Sequence, residues 1–167
     1  GENWQRYPSS NGSILRSVLA LGPRVYSGCY MDFGYWERDI RGQMQYTSLS
    51  DTLEQPLLED EQFWNIRAVG DWILFQSLKR IYAYNTEAGG FQVVPSDAPR
   101  ARLFTEGEAI YFVSENNLMT LVNGSVERLV ALEPDRWELV GMARAEGRRV
   151  FVAEDGTLLE VSGNGLL

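Results

Sequence analysis

The sequence contains no histidine and a single cysteine, Cys29, among its 167 residues. Without histidine it lacks the usual general base of serine and cysteine hydrolases and the commonest zinc ligand. One cysteine can form neither an internal disulfide nor a paired-cysteine metal or redox site, so no metal is expected. Cys29 has no basic cluster beside it in sequence and reads as a buried, inert thiol. No stretch approaches the roughly 18 consecutive apolar residues that a membrane helix needs, and no membrane contact is expected. Basic residues are scarce, 15 against 23 acidic ones, for a net charge of −8. That balance argues against this chain binding nucleic acid, which needs a concentrated Lys/Arg surface. Neither GxGxxG nor GxxxxGK[ST] occurs, and no cofactor is expected. The residues after Gly1 carry no signal-peptide pattern, and Gly1 reads as the scar of a removed tag.

What the chain does have is apolar and aromatic content, 44% and 12% of its residues. That is enough for one domain with a core that needs no staples. Strand signals dominate: short runs of Val, Ile, Tyr, Phe and Trp alternate with Gly, Asn and Asp punctuation. Four runs repeat, Arg24–Ser27, Trp72–Phe75, Ala109–Phe112 and Arg149–Val152. With Val25, Ile73, Ile110 and Val150 as anchors, the separations are 48, 37 and 40 residues. A glycine-containing turn precedes each anchor, at Gly22, Gly70, Gly107 and Gly147. Ile81, Leu118 and Leu158 follow their anchors by eight residues, whereas the first repeat is aligned on Tyr35, ten residues on. A further turn and strand come next, and one more apolar strand sits before each anchor.

Four short antiparallel strands every ~40 residues are the signature of a propeller blade, and the predicted fold is an all-β, β-propeller-like array. Blades are expected at about 13–50, 62–95, 102–132 and 137–167. Apolar residues such as Ile73, Phe75 and Ile81 are expected to supply the stacked faces between blades. Trp4–Tyr7 reads as an outermost strand, so residues 1–12 end a preceding blade or close the fourth one. A piece of a larger propeller is preferred over a closed four-bladed ring.

The run Val25-Tyr26-Ser27-Gly28-Cys29 followed by Gly34-Tyr35-Trp36 resembles the repeat of two-component-regulator propellers. Gly42–Leu49, Phe63–Ile66, Leu74–Ser77 and Ile81–Tyr84 are similar to a subgroup found in Bacteroidetes regulators. The specific likeness covers residues 24–84; Cys29 stands where the family usually has Thr, and the later blades lack its Gly-Thr pair. The resemblance implies a periplasmic sensor domain that acts in signal transduction and transcription regulation. It is not implied to be an enzyme.

Candidate ligand contacts lie on the loops that join second to third strands. Tyr30, Asp32 and Phe33 could stack on a sugar ring and accept its hydroxyls. Lys79, Asn116 and Asn117 occupy equivalent loops, where polar turn residues also need no functional reason. Tyr30 and Phe33 have a second reading as rings packed on the next blade. The connection Asp51–Gln62 carries Glu54, Glu59, Asp60 and Glu61; it lacks calcium-loop spacing and reads as a solvated acidic loop pinned by Leu57 and Leu58. Asn11-Gly12-Ser13 and Asn123-Gly124-Ser125 match the glycosylation pattern but lie at expected turns. The leading functional expectation is a non-catalytic sensor of a small molecule or oligosaccharide, signalling through blade packing or a homodimer. A protein-interaction scaffold comes second, and a hydrolase or lyase third.

Overall fold

The computed structural model describes residues 4–96, 102–133 and 138–162, with the backbone alone of 165–166. The expected blade limits at 137 and 167 lie outside them. Among the described residues sixteen strands form four sheets, each a four-stranded antiparallel meander in chain order. The first sheet holds β1 (Ser17–Leu21), β2 (Arg24–Gly28), β3 (Phe33–Arg38) and β4 (Met44–Ser48). The second holds β5 (Asn65–Val69), β6 (Trp72–Gln76), β7 (Arg80–Asn85) and β8 (Phe91–Pro95). The third holds β9 (Phe104–Glu106), β10 (Ala109–Ser114), β11 (Asn117–Val122) and β12 (Ser125–Ala131). The fourth holds β13 (Leu139–Ala145), β14 (Arg148–Ala153), β15 (Leu158–Ser162) and β16 (Gly165–Leu166). The only helical element among the described residues is a 3₁₀ turn at Ser50–Thr52. This is the architecture of β-propeller blades.

Turn chemistry sets the hairpins. The two-residue loop Glu115-Asn116 has both residues left-handed, at φ 49° and 57°, a twist that matches the flanking strands. Gly28 and Gly34 are set by close approach instead. A Cβ on Gly28 would lie 2.6 Å from the Phe63 Cβ, and one on Gly34 would lie 2.7 Å from the Tyr46 hydroxyl and closer still to the Thr47 carbonyl. These two glycines belong to the run that carries the family resemblance, and packing accounts for both.

Successive sheets stack in chain order, and each contact is a separate core. Tyr26, Phe33, Phe63, Ile73, Phe75 and Tyr82 fill the space between the first and second sheets. Leu74, Ile81, Ala83, Ile110, Phe112 and Leu121 fill the next. Tyr111, Leu118, Phe151, Ala153, Leu159 and Val161 fill the third. The runs Ile73-Leu74-Phe75 and Ile110-Tyr111-Phe112 therefore send alternate side chains to opposite faces, as the period-2 pleat requires. Ile81 packs toward the third sheet, not on the face that holds Ile73 and Phe75.

The strand register corrects two alignments. In the first sheet Gly28 pairs with Phe33, and in the second Gln76 pairs with Ile81. Phe33, eight residues after Val25, is thus the counterpart of Ile81 and Leu118, and the first hairpin has no added pair of residues. In the fourth sheet Val152 pairs with Leu158, one step out of line. Leu158 is consequently 63% exposed and Leu159 is 5% exposed, because a one-residue slip turns every side chain to the other face. A third correction concerns Trp4–Tyr7, which forms no strand. Tyr7 instead sets its ring 6.2 Å from Trp36 on the first sheet, and β16 supplies the fourth strand of the last sheet.

Glu106 on β9 is held by Arg149 (2.6 Å) and Arg144 (3.3 Å), which ties the third sheet to the fourth. The Arg149 hydrogen bond is the largest cause of its lowered pKa. A carboxylate with a depressed folded pKa stabilises above its unfolded value and loses that contribution as pH falls through the folded one. Urea unfolding from pH 7 down to about pH 3 should show a stability decline below about pH 4.5, and Glu106→Gln should flatten that part of the decline. Leu159→Ala should cost about 2–4 kcal/mol, whereas Leu158→Ala should cost under about 0.5 kcal/mol.

Candidate functional site

Because the strands alternate in direction, the second-to-third-strand hairpins and the sheet-to-sheet connections emerge on one face. On the first sheet the hairpin 29–32 is sewn to the long connection that follows β4. The Met31 amide donates to the Glu61 carbonyl (2.8 Å), and the Phe63 amide donates to the Cys29 carbonyl (3.2 Å). Tyr30 and Gln62 form an isolated antiparallel bridge between the same two segments. Met31 holds φ 55° at the tip of the hairpin.

Two buried carboxylates anchor this junction. Asp32 accepts hydrogen bonds from the hydroxyls of Ser48 (2.9 Å), Ser50 (2.7 Å) and Ser10. Burial, and then the nearby Asp32 charge, raise the pKa of the Tyr46 phenol. Glu61 accepts from the Ser77 hydroxyl (2.6 Å), the Tyr82 hydroxyl (2.6 Å) and the Leu58 amide (2.9 Å). Tyr82 likewise has a raised pKa, from burial first and its bond to Glu61 second. Glu61 is only 4% exposed, which corrects its placement in a solvated acidic loop. Leu57 packs on the first inter-sheet core as expected. Glu61 joins it in pinning the connection, since a buried carboxylate needs this number of donors.

The candidate contacts named from sequence separate by burial. Phe33 is 0% exposed, stacked on Phe75 at 4.4 Å and edge-on to Phe63 at 4.6 Å. It is core, and its place as a ligand contact is corrected by the register described above. Asp32 is occupied by three serine hydroxyls and holds the hairpin. Tyr30 is 41% exposed and donates its hydroxyl to Asp60 (2.7 Å), the main cause of its raised pKa. Lys79 is exposed, with its backbone tied to Ser77 and Ser96. Asn116 is a left-handed turn residue, and Asn117 donates its amide to the Glu115 carbonyl (2.7 Å). Tyr30, Lys79 and Asn116 thus reach the surface, each on a different sheet. Cys29 is buried, its thiol 3.3 Å from the Asp32 carbonyl.

The sequence reading missed a groove of about 400 Å³ lined by Asn65, Arg67, Arg102, Leu103, Phe104, Val140 and Gly141. These residues lie on, or directly before, the first strands of three successive sheets. Propeller blades are arranged radially around a central channel, so a cleft that the first strands of consecutive sheets share is read as facing that axis. Arg67 pairs with Leu74 and Phe104 with Tyr111, each the residue after its anchor, so the two occupy one level of the groove. Asn65 and Arg102 lie two residues earlier, toward the hairpin face. The missed signal was this alignment: reading first strands by register, rather than loops by polarity, brings both arginines together.

Similarity to known proteins is structural. No family model matches the chain, and no curated protein matches it. The computationally designed protein Ika8 superposes with a TM-score of 0.58 at 12% identity, over 93% of this chain and 48% of that one. BamB from Moraxella catarrhalis gives 0.61 at 14% identity, over 89% and 47%. The extracellular domain of BT4673 from B. thetaiotaomicron, assigned as a one-component system, gives 0.52 at 14%, over 96% and 24%. The chain spans about half the length of Ika8 and BamB. Among the described residues no helix is long and apolar enough to cross a membrane.

Tyr30→Ala should leave the urea midpoint nearly unchanged. Glu61→Ala should cost roughly 2–4 kcal/mol, because two buried hydroxyls lose their acceptor. At these identities the likeness establishes the fold: this chain has the blade architecture of a β-propeller.

Proposed function

We propose that this chain is a ligand-recognising propeller region of a bacterial sensor or transcriptional regulator, placed outside the cytoplasm and without catalytic activity. The observation that carries the reading is the axial groove, where first strands of three sheets present guanidinium, amide and aromatic groups around one cleft. The groove sets three polar side chains beside Leu103, Phe104 and Val140, and polar groups that converge on one cleft can fix a ligand's orientation. The shared architecture with the BT4673 extracellular domain supports the sensor assignment. A small molecule or oligosaccharide in the groove would touch three sheets at once. Binding would then favour one relative packing of the blades over another, which is the condition for a signal. Pairing with a second copy is one way to pass that preference on.

The test is a thermal-unfolding screen of the chain against neutral and acidic oligosaccharides. The expected result is a midpoint that rises with ligand concentration for one class of compound, since a ligand that binds only the folded state stabilises by mass action. A cooperative melt that no saccharide shifts would overturn the sensor reading and favour a protein-interaction scaffold.

A further inference from the structure

The charge of the axial groove runs against that of the molecule. The chain carries a net charge of −8, yet of the seven residues lining this groove two are arginines and none is acidic. Two other grooves of similar size each include carboxylates: Glu54 in one, Asp71 and Glu108 in the other.

Neither arginine is ion-paired among the described residues. Arg67 donates to the carbonyl of its own neighbour Ile66 (3.0 Å), and Arg102 donates across to the Val140 carbonyl on the fourth sheet (3.3 Å). By contrast, Arg144 and Arg149, both on the fourth sheet, are paired to Glu106. The Nε of Arg102 is buried and has no acceptor. A buried donor of a charged group without a partner is costly, and it marks a place where an acceptor belongs. Two guanidinium groups bordering one cleft also repel, a cost that an anion between them reverses. Their planar forks suit the paired oxygens of a carboxylate or sulfate. The remaining contacts are neutral: the Asn65 amide at the level of Arg102, and the half-buried Phe104 ring at the level of Arg67.

We propose that the axial groove binds an oxyanion, the carboxylate or sulfate of an acidic saccharide, through Arg67 and Arg102. This rests on the ligand-recognition reading above and names its ligand class. Neutral sugars could offer the Arg102 Nε a hydroxyl oxygen but would leave both guanidinium charges uncompensated. Arg67 and Arg102 would therefore set specificity, and Asn65 and Phe104 would meet the sugar ring.

The test is calorimetric titration of the chain with sodium glucuronate, sodium sulfate and glucose at matched ionic strength. It is repeated on Arg67→Ala and Arg102→Gln. Arg67 is exposed and, among the described residues, bonds to its neighbour's carbonyl, so Arg67→Ala keeps the experiment interpretable if Arg102→Gln unfolds. Glucuronate should bind and glucose should not, and each substitution should weaken glucuronate about tenfold or more. Affinity should also fall as sodium chloride is raised. Sulfate binding as tightly as glucuronate would assign the site to the free oxyanion; glucuronate binding more tightly would assign it to the acidic sugar. Anion binding unchanged in Arg67→Ala and in a folded Arg102→Gln would overturn the proposal. Neutral oligosaccharides that shift the melt while neither anion binds would overturn the anion assignment alone and leave the sensor reading standing. Failure of both classes would remove both.

Discussion

Stacking of sheet on sheet is the constraint from which the rest of this structure follows. A four-stranded meander of short strands cannot stand alone when both faces are apolar. The middle sheets have both faces apolar: Leu74 and Ile110 serve one core while Phe75 and Tyr111 serve its neighbours. Each core is therefore shared, and losing one sheet would expose a face of the next. Aromatic rings carry much of the first contact. Phe33 alone touches Phe63, Phe75, Tyr82 and Phe91 at centroid distances of 4.4 to 5.9 Å. Such pairs add about 0.5–1.5 kcal/mol each beyond the area they bury.

Two buried carboxylates sit where this stacking leaves a gap. Asp32 and Glu61 sit at the junction between the first hairpin and the long connection, each surrounded by hydroxyls or amides. They replace the apolar contact that a tight connection would provide, and they hold two loops in one arrangement. Their occupied oxygens explain why a cluster of acids beside aromatics is architecture here. The axial groove is the opposite case. Arg67 lies on β5 and Arg102 directly before β9, and among the described residues neither is ion-paired. A rigid frame with unspent charge is better suited to recognising a ligand than a loop whose polar groups already bind each other.

The repeat was legible because the pleat writes burial into sequence at a period of two, and the turns write themselves as Gly, Asn and Asp. The anchors Val25, Ile73, Ile110 and Val150 all fall on second strands. The candidate contacts were less legible. Tyr30 and Phe33 are both aromatic, three residues apart on one hairpin, and only pairing distinguishes them: Phe33 faces Gly28 within the sheet, while Tyr30 stands on the exposed bridge to Gln62. Leu158 and Leu159 are chemically identical neighbours separated by the same register.

The amino-acid sequence by itself determined the all-β class, the four repeats and their hairpin turns, because propensity and alternation are local properties of the chain. Tertiary structure alone decided which aromatic is core, which carboxylate is buried and which arginines share a cleft. Arg67 and Arg102 lie 35 positions apart in the sequence, with three whole strands, β6 to β8, between them, and no local pattern joins them. They share a groove because stacked sheets bring their first strands together, a relation that exists only once the blades are stacked.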